Sequence, residues 1–169
     1  MANWDIAFNW LMDSEDRNRE YKQVPDASPA GWSGGPVYAI SGINSAVFPQ
    51  MFAAIAAVPQ AKRGPGVESF YKGQFWFPWI DQLKDDELAK RVFDASVNMG
   101  PGTSVKLLQN SLGLHDDGLW GPVTLSNAND KPNAVQGFIA ARVARYKAIV
   151  AAHPEDSVYL AGWLARASK

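Results

Sequence analysis

Apolar residues along this chain recur mostly at the three- and four-residue spacing of helices, in blocks cut by Gly, Pro and Asp. Phe8, Leu11, Met12 and Glu15 share one face of a first helix that Asn3 can cap and that should run to about Arg19. Its apolar stripe therefore ends in a carboxylate. From Val24 to Ser41 (VPDASPAGWSGGPVYAIS) the period is lost, and the stretch reads as loop with a short strand or hairpin at Val37–Ile40. An ordered loop of that length is uncommon in a compact domain and usually has a function; the alternative is a surface excursion without order.

Helical spacing then resumes. Asn44 or Ser45 should cap a helix to about Val58, with Phe48, Met51, Phe52 and Ile55 inward. After the KRGPG break at Lys62–Gly66, a helix carrying Phe70, Tyr71, Phe75 and Trp76 should stop before Pro78. Asp85 should cap a helix to Met99 with Leu88, Val92, Ala95, Ser96 and Met99 on one side. Gly100-Pro101-Gly102 ends it, and Thr103 should cap the next, which stops at Gly113. Gly121-Pro122 opens a short helix, a long one follows from about Ala134 to Ala152, and the last, about Asp156 to Ala167, has Tyr159, Leu160, Trp163 and Leu164 to bury. The prediction is a mainly α protein of about eight helices with an irregular loop or short β excursion near the N-terminus. With no long linker and no internal repeat, 1–169 is expected to form a single domain, its 1–84 half carrying Glu15 and its 85–169 half helical.

Composition narrows the function. At 169 residues the chain can bury roughly 70% of its unfolded surface. A net charge of -1 supplies no basic footprint for nucleic acid. The absence of Cys excludes disulfides, thiolate nucleophiles and Cys-bound metals. His115 and His153 lie too far apart for a metal-ligand spacing, Gly31–Gly35 is no phosphate loop, and no GxSxG elbow is present. No cofactor or metal is expected. The N-terminus has no basic n-region, so it is not read as a Sec signal, and no apolar run reaches the roughly 20 residues of a membrane span. Seven Trp and 12% aromatic residues suggest a stacking surface as well as a core.

Several segments carry a family resemblance. Leu11–Glu15 (LMDSE), the Gly-rich loop with Asp26, and Ala39–Asn44 (AISGIN) resemble the N-terminal half of the glycoside hydrolase family 108 muramidases. Phe70–Pro78 (FYKGQFWFP) is similar to their tyrosine and tryptophan segment. Val92–Gly102 (VFDASVNMGPG), Leu107-Leu108-Gln109, Asp117–Thr124 (DGLWGPVT) and the tail to Leu164 are similar to their peptidoglycan-binding-type C-terminal half. The resemblance runs from about Ile6 to Arg166. It departs where the family has Glu-Gly-Gly and this chain has Glu15-Asp16-Arg17, and both Ala39-Ile40-Ser41 and Gly42-Ile43-Asn44 fit the family's Gly-Ile-Thr. The resemblance implies a lysozyme-like fold and cleavage of peptidoglycan between N-acetylmuramic acid and N-acetylglucosamine. Without a Sec signal, such a protein is expected to be made in the cytoplasm and to reach the periplasm or wall through a holin or a dedicated secretion route. The glycan strand is the expected partner, and the protein is expected to act as a monomer.

Glycoside hydrolysis needs a carboxylic acid that protonates the leaving oxygen, worth roughly 10²–10⁴ in rate. Glu15 matches the family's catalytic glutamate and extends an apolar face; alternatively it is a solvated helix-end residue paired with Arg19. Asp26 matches the family's Asp and could be base or electrostatic partner, or simply a turn residue after Pro25; Glu20 and Asp16 are rivals. Ser41 and Asn44 could orient water or an N-acetyl group, with Asn44 otherwise a helix cap. Trp32, Tyr71 and Trp76 could stack on sugar faces, with core the alternative for Trp76. Asn98 could face the cleft or tie the Gly100 turn. The competing readings are a wall-binding module without catalysis and a secretion or assembly factor.

Overall fold

The computed structural model describes residues 1–169 and is mainly helical. Its eight α-helices are α1 (Trp4–Glu15), α2 (Pro49–Ala56), α3 (Gly64–Phe75), α4 (Asp86–Met99), α5 (Pro101–Leu112), α6 (Pro122–Asp130), α7 (Ala134–Ala152) and α8 (Ser157–Ser168). Three short strands, β1 (Gln23–Pro25), β2 (Tyr38–Ile40) and β3 (Ile43–Asn44), form one antiparallel sheet in the order β1-β2-β3. Helices with a small sheet near the N-terminus are consistent with a lysozyme-like fold.

The chain divides into two compact units, Phe8–Gln74 and Met1–Ala7 with Phe75–Lys169. Within Phe8–Gln74, Phe8, Leu11 and Met12 of α1 are buried, as the spacing predicts, together with Ile40, Ile43, Ile55, Val67 and Phe70. Asn3 caps α1 as expected, its side-chain oxygen accepting from the amides of Asp5 and Ile6. The helix ends at Glu15, a turn short of Arg19, because the Asp16 carboxylate accepts from the amides of Glu20 and Tyr21, which closes the chain into a loop.

Two helix starts and one inward position differ from the sequence expectation for local reasons. Asn44 does not cap α2: its oxygen accepts from Ala46 and Val47 N–H in a turn, and the helix starts later, at Pro49. Met51 stands exposed on this shorter helix, where an inward position was expected. Thr103 lies inside α5, since Gly100 at φ +84 turns the chain and Pro101 takes the first helical position.

In the other unit Asp85 caps α4 through the amides of Glu87 and Leu88, and Gly113 ends α5 in the left-handed region. Helix α4 packs on α5, α5 on α7 and α7 on α8. Trp4, Trp76 and Phe93 meet edge to face at 5.3–5.5 Å. Asp94 of α4 is fully buried, its carboxylate 2.6 Å from an Arg142 guanidinium nitrogen on α7 and 2.7 Å from Arg166 on α8. Tyr159, expected in this core, stays exposed on α8.

Candidate active site

The site builds up from a two-residue turn. Ile40 pairs with Ile43, which leaves Ser41 and Gly42 as the hairpin's central residues, at φ +47 and +80. Positive φ at both positions defines a type I′ turn, whose twist suits the strands it joins. Ser41 occupies a conformation that a residue with a Cβ disfavours, and two hydrogen bonds hold it there. Its hydroxyl donates to Asp16 Oδ2 at 2.7 Å, and its carbonyl accepts from the Tyr71 hydroxyl at 2.7 Å. Asp16 at the end of α1 and Tyr71 on α3 thus grip the turn from two elements.

Gly42 then receives Glu15. A Cβ on Gly42 would overlap the Glu15 carboxylate and lie 2.8 Å from the Tyr71 hydroxyl, so the carboxylate rests on bare backbone. Glu15, half-buried as the last residue of α1, opens into a recess of about 150 Å³ with Asp16, Glu20, Lys22, Ser41 and Gly42. The Asp16 carboxyl is held below its ordinary value of 3.8. Burial alone would raise it; the Ser41 hydroxyl, the Tyr21 and Glu20 amides and the Arg19 charge outweigh that. Arg19 itself reaches back along α1, donating to the Asn9 carbonyl at 2.9 Å and lying 3.4 Å from Asp13.

The other expected site residues divide. Asp26 does not line the recess. It follows β1 at the end opposite Gln23, about 10 Å along the strand at 3.3 Å per residue, and is a turn residue. Its oxygens accept from Ala27 N–H and from the Asn44 amide, both at 2.8 Å. Asn44 therefore joins Asp26 to the turn after β3. Trp32 is 44% exposed, with its indole N–H donating to the Gly35 carbonyl and its ring lying over Gly34. Tyr71 and Trp76 are only 2% and 7% exposed, so neither offers a ring face to a sugar; their stacking role is corrected to a core role. Trp76 belongs to the other unit, where its N–H donates to Asp81. Asn98, also there, is exposed and accepts from the Tyr146 hydroxyl at 2.6 Å.

Sequence reasoning missed the Gly42 seat, although a glycine between Ser41 and Ile43 is the signal that a positive-φ turn was due. Two larger grooves, of about 510 and 520 Å³, lie in the other unit. In the first, Asp85 is used as the cap of α4 and Glu87 sits with Arg91 and Lys131; in the second, Asp116 lies with Lys106 and Arg145. No group of three or more His, Asp or Glu is gathered as a metal site. The recess beside Glu15 is the one that joins a carboxylate seated on bare backbone to an open space.

No family model matches this sequence, and no curated protein matches it. Among solved structures the chain is similar to Brucella abortus SagA, with a TM-score of 0.70 at 21% identity over 98% of this chain and 89% of that one. At that identity the likeness establishes a shared fold.

Proposed function

We propose that the protein is a peptidoglycan hydrolase that cleaves the glycosidic bond between N-acetylmuramic acid and N-acetylglucosamine, with Glu15 as general acid. The observation that carries this reading is the seat of the Glu15 carboxylate on Gly42, at the mouth of an open recess. A general acid must be fixed against the leaving oxygen, and bare backbone at Gly42 allows the side chain to lie in one place. The family resemblance of the segments around Glu15 and Ser41 supports the same assignment. The glycan strand is then the partner, and the protein works in the periplasm or wall after a holin or secretion route releases it.

A non-catalytic peptidoglycan-binding or secretion factor is the second reading, favoured by the Asp117–Thr124 loop. Gln109 holds that loop through Asp117, Gly118, Leu119 and Thr124, and Trp120 stacks on Trp79 at 4.2 Å, a rigid aromatic surface without a carboxylate pair. Incubating purified protein with peptidoglycan and measuring new reducing ends separates the two. Wild type should release them and Glu15→Gln should be slower by about 10²–10⁴. Binding to the wall without any release would leave the second reading standing.

A further inference from the structure

Glycoside hydrolysis pairs its acid with a second carboxylate, and the recess offers two besides Glu15. Asp16 is committed to the fold: its oxygens accept from the Ser41 hydroxyl and from the amides of Glu20 and Tyr21. Asp26 stands outside, tied to Asn44 and Ala27. Glu20 remains. We propose that Glu20 is the general base of the reaction, a role that rests on the hydrolase reading above.

The chain goes to some length to place this residue. Arg19 and Tyr21, on either side of it, both adopt left-handed backbone at φ +54 and +52. Neither is a glycine, and such outliers persist only where the surroundings over-determine them. Here the surroundings are specific. The Glu20 amide donates to Asp16 at 3.0 Å and the Glu20 carbonyl accepts from Gln60 Nε2 at 2.8 Å. The Tyr21 carbonyl accepts from Arg63 at 2.9 Å, and the Tyr21 ring covers Gly64. The backbone is pinned while the carboxylate stays 45% exposed, lining the recess 2.7 Å from the Lys22 ammonium. A pinned backbone with a wet carboxylate suits activation of water better than a buried nucleophile would.

The step is a single displacement. Glu20 removes a proton from a water molecule as its oxygen bonds to the anomeric carbon. The glycosidic carbon–oxygen bond breaks, its electron pair stays on the leaving oxygen, and that oxygen takes the proton of Glu15. Water is thereby added across the bond, the β linkage gives an α product, and proton exchange with solvent restores both carboxyls. Such a reaction needs the carboxyls about 6.5–9.5 Å apart, with room for the water between them.

The test uses the full chain and a purified oligosaccharide of alternating N-acetylglucosamine and N-acetylmuramic acid. Wild type should release the α anomer first by proton NMR. Glu20→Gln, with an unchanged melting temperature and circular dichroism, should lose at least about 100-fold in kcat with KM within about threefold. Glu20→Ala should regain rate in molar azide and yield the α-glycosyl azide, which a merely structural role would not produce. A smaller loss in Glu20→Gln, failure of azide rescue, or a β anomer released first each overturns the assignment of Glu20 while leaving Glu15 and the hydrolase reading intact. A wild type that cleaves nothing overturns that reading itself, and this one with it.

Discussion

At the scale of single residues, the turn at Ser41-Gly42 decides where the Glu15 carboxylate can be. Gly42→Ala introduces a methyl into the space of the carboxylate and the Tyr71 hydroxyl, and it does so at φ +80, where a Cβ costs about 1–2 kcal/mol. The expected outcome is a destabilisation of roughly that size or more by urea titration, with hydrolysis lost beyond what the stability loss explains. Asp16 gives a second prediction. Its folded carboxyl is depressed below the ordinary 3.8, so the stability it contributes is present above that pH and is lost as pH falls through its folded value. Denaturation midpoints measured from pH 6 down to pH 2 should fall less steeply in Asp16→Asn than in wild type, and the variant should be the less stable of the two at pH 6.

At the scale of elements, the Asp117–Thr124 loop depends on one side chain of α5. Gln109, 3% exposed, donates to Asp117, the Leu119 carbonyl and Thr124 and accepts from Gly118 N–H. Gln109→Leu keeps the apolar bulk but leaves those groups without their partner, a penalty of about 1–3 kcal/mol. The Trp79–Trp120 stack should loosen with the loop, visible as a loss of near-ultraviolet circular dichroism. The helices themselves were legible from apolar spacing and punctuation: Asn3, Asp85, Gly113 and Pro122 mark the ends that the sequence predicts. Thr103 and Asn44 misled because each is a good cap by type, and only the backbone around Gly100 and the turn after β3 withholds the role. Strand β1 was invisible since all three of its residues are exposed, so no alternation of apolar and polar positions marks it. Glu15 could be found as the end of an apolar stripe. Its seat on Gly42 could not, because that depends on α1, α3 and the β2–β3 turn meeting in space.

At the scale of the whole molecule, the likeness to Brucella abortus SagA at 21% identity shows that one arrangement of helices tolerates extensive change of sequence. Much of such a fold is fixed by apolar volume, which many residues can supply. The charged group at the centre of the Phe75–Lys169 unit is different, because it cannot be changed one member at a time. Asp94, 0% exposed, faces Arg142 at 1% and receives three hydrogen bonds from Arg166, so one carboxylate serves two guanidiniums from helices that come later in the chain. Arg142 also donates to the Tyr146 hydroxyl, which in turn donates to Asn98, joining α7 back to α4. Removing the carboxylate leaves buried positive charge without its counterion, at a cost of about 3–5 kcal/mol against a usual total of about 5–15. Asp94→Asn, similar in shape but neutral, should therefore lower the urea midpoint sharply. Replacing Asp94, Arg142 and Arg166 together by leucine should restore stability to near or above wild type, since buried ion networks often contribute less than apolar packing of similar volume. A triple variant as unstable as Asp94→Asn would mean that the network specifies how α4, α7 and α8 assemble, over and above any stability it adds.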